Sequence, residues 1–142
     1  MNAPSSNPVT PIIKQGITGH QRHVGYVAKI YPDRTDVHLT PDETHMNRQD
    51  VIHGGVIATI LDAALGYAAS RHLAEDASVA CVTVTFTVNY ISATDSAEVI
   101  ATGRVTGGGY KTVFTDGEAR TVDGLLLATA TAVYKRGKPK RD

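Results

Sequence analysis

His53-Gly54-Gly55, with Asp62 eight residues after Gly54, is the stretch of this chain best equipped for chemistry. A glycine pair opening a helix presents backbone N–H groups at the positive end of the helix dipole, where they can polarise an oxygen. An acid inside a mostly apolar helix is costly to bury unless it has work to do there. A carboxylate can take a proton from water or attack a carbonyl carbon directly, and the residues alone leave both routes open. Asn47 is a further candidate, either placing a polar group or capping its own loop. His53 either supports a carbonyl site or orients the loop. His20-x-x-His23 lacks a third ligand at suitable spacing, so no metal and no bound cofactor are expected.

The elements that carry these residues follow from periodicity. Ile57, Ile60, Leu61, Ala64 and Ala68 recur at helical spacing, which predicts one long alanine-rich helix over Gly54–Leu73. The polar stretch Pro41–Asp50 reads as the loop delivering the chain to it. Val24–Tyr31 and Thr35–Leu39 read as strands joined by a turn at Pro32-Asp33-Arg34. Val79–Ile91 alternates, with Val82, Val84, Phe86, Val88 and Tyr90 on one face and Cys81, Thr83, Thr85, Thr87 and Asn89 on the other. The valine face is expected against the helix, which turns Thr83 away from it. Glu98–Thr106, Tyr110–Val122 and Leu125–Tyr134 complete the strands, reversed at Gly107-Gly108-Gly109 and at Asp123-Gly124. The expected class is α+β: a long central helix packed on an antiparallel sheet of about five to six strands. One domain is expected over residues 21–136, after a tail or short helix over 1–20 and before a basic tail over 137–142.

Composition narrows the function classes. The formal net charge is zero, and hydrophobic residues make up 42% of 142 residues, as in an ordinary globular domain. Lys135, Arg136, Lys138, Lys140 and Arg141 cluster at the C-terminus and read as a solvated end. No basic stripe is interleaved with aromatics and no helix-turn-helix region precedes the domain, so nucleic-acid binding is not expected. Cys81 is the only cysteine, which excludes an intramolecular disulfide and reads as a packed thiol. No apolar run approaches the ~18–20 residues that span a bilayer. Met1–Thr10 carries no basic residue and does not resemble a secretory signal, so a cytoplasmic location is expected.

The pattern Asn47…His53-Gly54-Gly55…Leu61-Asp62-x-Ala64-x-Gly66, with Val88-Asn89-Tyr90 further on, resembles the hotdog-fold acyl-CoA thioesterases. It is most similar to their phenylacetic-acid-degradation type, over roughly Gly25–Lys135. The resemblance implies hydrolysis of an aryl or medium-chain acyl-CoA to free acid and coenzyme A, the latter entering only as part of the substrate. It implies Asp62 as the catalytic carboxylate and Gly54 as the N–H donor to the thioester carbonyl. Asn47 would help place water or substrate, His53 would support the loop, and Thr83 matches a hydroxyl position used in some relatives. Gly55, Tyr90 and Lys111 would contact substrate or coenzyme A. Two departures stand out. Asp50 occupies a position where the family usually has glycine, and the hairpin before Tyr110 carries glycines where many relatives have arginines.

Gly54 and Asp62 lie ~12 Å apart along one helix axis. A carbonyl donor and a base must each come within ~3 Å of the reacting centre or its water. Two antiparallel copies of the helix bring Gly54 of one beside Asp62 of the other, which predicts a homodimer with shared sites. The threonine face of the sheet is a candidate second contact that would make a homotetramer. Two other functions fit less well. A non-catalytic acyl-CoA-binding module would bind without turnover. Enoyl-CoA hydration usually goes with an Asp-x-x-x-x-His pair, and no such pair surrounds Asp62.

Overall fold

A computed structural model of the protein describes residues 9–95 and 97–139. The tail through Pro8 and the last three residues, including Lys140 and Arg141 of the basic cluster, lie outside the described residues. The elements are β1 (Ile12–Gln15), α1 (Gly19–Val24), β2 (Val27–Ile30), β3 (Thr35–Leu39), a 3-10 turn at Glu43–His45, α2 (Gly54–Leu73), β4 (Cys81–Tyr90), β5 (Val99–Gly108), β6 (Thr112–Thr121) and β7 (Leu126–Arg136). The strands form one antiparallel sheet in the order β1-β2-β3-β5-β6-β7-β4.

Helix α2 spans the residues that its periodicity predicts. Ile57, Ile60, Leu61, Ala64, Leu65 and Ala69 are buried along it in one core with Val37, Val99, Ala101, Val113, Ala119 and Leu127 of the sheet, and Ala68 is buried too. The helix lies close to the sheet because Gly103 and Gly117 pair directly beneath it. A Cβ on Gly103 would meet the backbone of Ala64 and Leu65 at 2.7–2.8 Å, and one on Gly117 would meet the Leu65 side chain at 2.6 Å. Neither fits at the density of a protein interior.

Three expectations are corrected. The sheet has seven strands rather than five to six. The additional one is β1, which forms within the stretch expected as a tail or short helix over 1–20, so the sheet begins ahead of residue 21. The helix lies later, over Gly19–Val24. Thr18 caps its N-terminus, and Gly25, at φ 91, ends it in the left-handed conformation, which delays the strand expected from Val24 until Val27. Gln21, 1% exposed, ties these pieces together. Its amide donates to the Lys14 and Tyr26 carbonyls and accepts from the Ile17 N–H.

The third correction matters most for the site. A β-bulge interrupts β4 between Thr83 and Thr85. One extra residue reverses which side chains face the core. Beyond the bulge Phe86 and Val88 pack on the core as the alternation predicts. Before it the phase is opposite: Cys81 and Thr83 face α2. Val82 and Val84, expected inside, are 58% and 57% exposed. β4 pairs only with β7 among the described residues, so its outer edge is open.

Candidate active site

The first half of the site is the loop entering α2. His45 is buried and anchors it: its Nδ1 accepts from the Asp42 N–H at 2.9 Å, which leaves Nε2–H to donate to the Val24 carbonyl at 2.7 Å. The His53 N–H donates to the His45 carbonyl at 2.8 Å. Asn47 organises residues 47–51, its Oδ1 accepting from the N–H groups of Gln49 (2.8 Å) and Val51 (3.3 Å). That oxygen therefore shapes the loop. Asp50 sits at φ 57, in the left-handed region. This accounts for its place where glycine is usual, because aspartate is among the few side chains that tolerate this region. Asp50→Gly should relieve the conformation and raise stability by about 0.5–1 kcal/mol, read as a higher urea midpoint at unchanged m-value.

His53 is the N-cap of α2, its Nδ1 accepting from the Gly55 N–H at 2.8 Å. This consumes the Gly55 donor and gives both residues a structural task. The Gly54 N–H, by contrast, has no partner among the described residues. The Tyr90 hydroxyl donates to the Gly54 carbonyl at 2.6 Å, and its ring lies 3.3 Å from where a Gly54 Cβ would be. Tyr90 thus fixes the helix start from the end of β4. Asn47, Ile52, Gly54, Ile57, Tyr90 and Leu127 line a largely apolar groove of about 370 Å³ beside it.

The second half is Asp62. Its Oδ1 accepts from the Thr83 hydroxyl at 3.0 Å and from the Tyr134 hydroxyl at 2.6 Å. Tyr134 also lies 2.9 Å from the Asp62 backbone carbonyl. Thr83 therefore reaches Asp62, contrary to the expectation from strand alternation. Burial first, then the adjacent Asp62 carboxylate, pushes the Tyr134 phenol far above its ordinary pKa, so it is protonated and donates. Tyr26 is also raised, by burial, Tyr67 and Asp62 in turn, and Tyr67 by burial. The groups bonded to the carboxylate are thus one neutral phenol, Tyr134, and the Thr83 hydroxyl. Cys81 is half-buried, with its thiol raised by burial, in keeping with a packed thiol.

Tyr134 was not legible as a site residue in the sequence, although a signal for it exists. It shares the face of β7 that buries Ala128, Ala130 and Ala132, so its hydroxyl must find a partner inside. Lys111 lies in the β5–β6 turn, where its carbonyl accepts from the Arg136 N–H. Arg136 pairs with Cys81, at the opposite end of β4 from Tyr90 and Gly54. Within one chain the structure does not bring Lys111 to the groove. Nor does it bring Asp62 to the groove lining. Among the described residues no three His, Cys, Asp or Glu side chains converge as metal ligands, and no helix is long and apolar enough to cross a membrane.

A family model described as thioesterase superfamily matches residues 49–128, which include Gly54, Asp62, Thr83 and Tyr90. A conserved protein of Pseudomonas aeruginosa superposes with a TM-score of 0.76 at 24% identity, over 85% of this chain and 95% of that one. A Bacillus halodurans protein solved with CoA gives 0.69 at 23% identity, over 75% and 70% of the two chains. The Escherichia coli PaaI protein from the phenylacetic acid degradation operon gives 0.76 at 18% identity, over 87% and 88%. These likenesses establish a shared hotdog fold. No curated protein sequence matches the chain significantly.

Proposed function

Given that the chain belongs to the thioesterase superfamily, we propose that it hydrolyses an acyl-CoA thioester, aryl or medium-chain, in a PaaI-like homodimer with shared sites. The observation that carries this reading is the Gly54 N–H, without a partner among the described residues, at the head of a 20-residue helix that holds a carboxylate two turns on. The N–H donates to the thioester oxygen as negative charge develops on it, reinforced by the helix dipole. Asp62 of the partner subunit takes a proton from the attacking water. The apolar groove beside Gly54 suits an acyl group, and Asn47 is among the residues that line it. The CoA complex of the B. halodurans protein supports the same ligand class by analogy.

The dimer is supported by the open edge of β4. Its ten residues, ending in exposed Tyr90 and followed by exposed Ile91, have no partner on that outer side among the described residues and form a template for another chain, and an uncovered edge of this length is a liability. Antiparallel pairing of two such edges about a two-fold axis sets the Cys81 end of one copy against the Tyr90 end of the other. Thr83 and Asp62 lie toward the first end and Gly54 toward the second. The same pairing carries Lys111 and Arg136 of one copy toward the groove of the other.

Thiol release measured over a panel of aryl- and alkyl-CoA esters tests the activity. Turnover at 1 s⁻¹ or more on at least one class, on the order of ordinary enzyme rates, is the expected result. Tight binding of every ester without thiol release would instead identify an acyl-CoA-binding module.

A further inference from the structure

We propose that Tyr134 is the positioning residue for the Asp62 carboxylate: together with Thr83 it holds Oδ1, leaving Oδ2 as the oxygen that meets water. This rests on the thioester-hydrolase reading above and adds to it which oxygen reacts and what aims it. Tyr134 and Thr83 are direct cross-strand partners in the β4–β7 ladder. Side chains opposite each other in antiparallel strands have Cβ atoms roughly 5 Å apart, so two hydroxyls from such a pair can reach one atom. Here both reach Oδ1, at 2.6 and 3.0 Å, and Oδ2 has no partner among the described residues.

The arrangement depends on the bulge that follows Thr83. Without the extra residue, Thr83 would stand in phase with the outward side chains beyond it and its hydroxyl would leave Asp62. The Tyr134 ring is itself immobilised. It is 2% exposed and lies against Gly66, where a Cβ would stand 3.4 Å from the ring. Gly66 is one turn beyond Asp62 on α2, so the phenol is packed against the helix that carries its acceptor. A carboxylate on a flexible χ2 torsion is turned by the two donors so that one oxygen is anchored and the other aimed.

Oδ2 takes a proton from water while the water oxygen bonds to the thioester carbonyl carbon. Collapse of the tetrahedral intermediate breaks the C–S bond. The proton passes from Oδ2 to the departing thiolate, releasing acid and thiol and leaving Asp62 ionised.

Tyr134→Phe keeps the ring and removes the donor. With the best substrate of the panel, kcat should fall roughly 10–100-fold, on the scale of losing one positioning contact at a catalytic group, with KM within two-fold. Thr83→Val should lower kcat in the same way. The double variant should lose less than the product of the two single losses, because either bond alone leaves the carboxylate loosely held. The inference is overturned if Tyr134→Phe retains wild-type kcat. It is also overturned if the loss is accounted for by a lower folded fraction in urea unfolding, or if the single losses multiply in the double variant. Asp62→Asn separates this inference from the reading beneath it: full activity in Asp62→Asn removes the parent reading, whereas an inactive Asp62→Asn beside a fully active Tyr134→Phe removes only the role of Tyr134.

Discussion

Asp62→Asn should lower kcat by about 10²–10⁴-fold, the range that a positioned general base supplies, while leaving the fold in place. The amide oxygen of the variant can still accept from Tyr134 and Thr83, which now bond to Oδ1. Packing is therefore retained and no buried donor is orphaned, so stability should change by less than about 1 kcal/mol. What is lost is the ability to take a proton from water. Steady-state thiol release, together with urea unfolding of the same preparation, checks both halves of the expectation. Near-normal turnover in a well-folded variant would remove Asp62 from the reaction.

A mixture of two inactive variants should recover activity. Gly54→Pro removes the N–H proposed to meet the thioester oxygen, and loss of one such donor costs about 10²–10³ in kcat. Proline is favoured at the first position of a helix, and the residue before it must be extended. His53, at φ −58 and ψ 134, already has a polyproline-like conformation, Gly54 has no positive φ to preserve, and the new Cβ, 3.3 Å from the Tyr90 ring, requires that ring to give by a few tenths of an ångström. If Gly54 of one subunit serves Asp62 of the other, a heterodimer of Gly54→Pro and Asp62→Asn chains holds one intact site and one doubly broken site. Random assembly on co-expression then gives about a quarter of wild-type specific activity. If each chain held a complete site, the mixture would stay at the background of its components. This measurement decides whether the ~12 Å between the two groups along α2 is bridged by a partner.

Much of the scaffold was legible because it is periodic. The 3.6-residue repeat of Ile57, Ile60, Leu61, Ala64 and Ala68 marks both the length and the buried face of α2. Turn chemistry placed the reversals near Gly109 and Gly124. Asp50 stood out only through the family resemblance, as an aspartate where glycine was expected, and its positive φ fits that expectation. What periodicity could not carry was anything that breaks it. The bulge in β4 leaves no clear mark in a run of alternating threonines and valines, yet it decides that Thr83 faces Asp62 while Val82 and Val84 face outward. The short strand β1 was likewise hidden, because four residues give too little pattern to distinguish a strand from a tail.

By itself, then, the sequence determined the class of the fold and the long helix, and it singled out the Gly54 N–H and Asp62 as the two groups on it proposed to polarise a carbonyl and activate water. These are local facts, set by spacing within a single element. Only the tertiary structure decided which oxygen of Asp62 is held and by what, since Tyr134 lies 72 residues away and Thr83 21 residues away from the carboxylate they share. The same is true of His53, Gly55 and Tyr90, whose hydrogen bonds build the helix start and leave the Gly54 N–H without a partner among the described residues. Spacing along a chain reports which residues share a face. It does not report which strand is brought opposite that face, because strand register is set by long-range pairing and a single inserted residue reverses it.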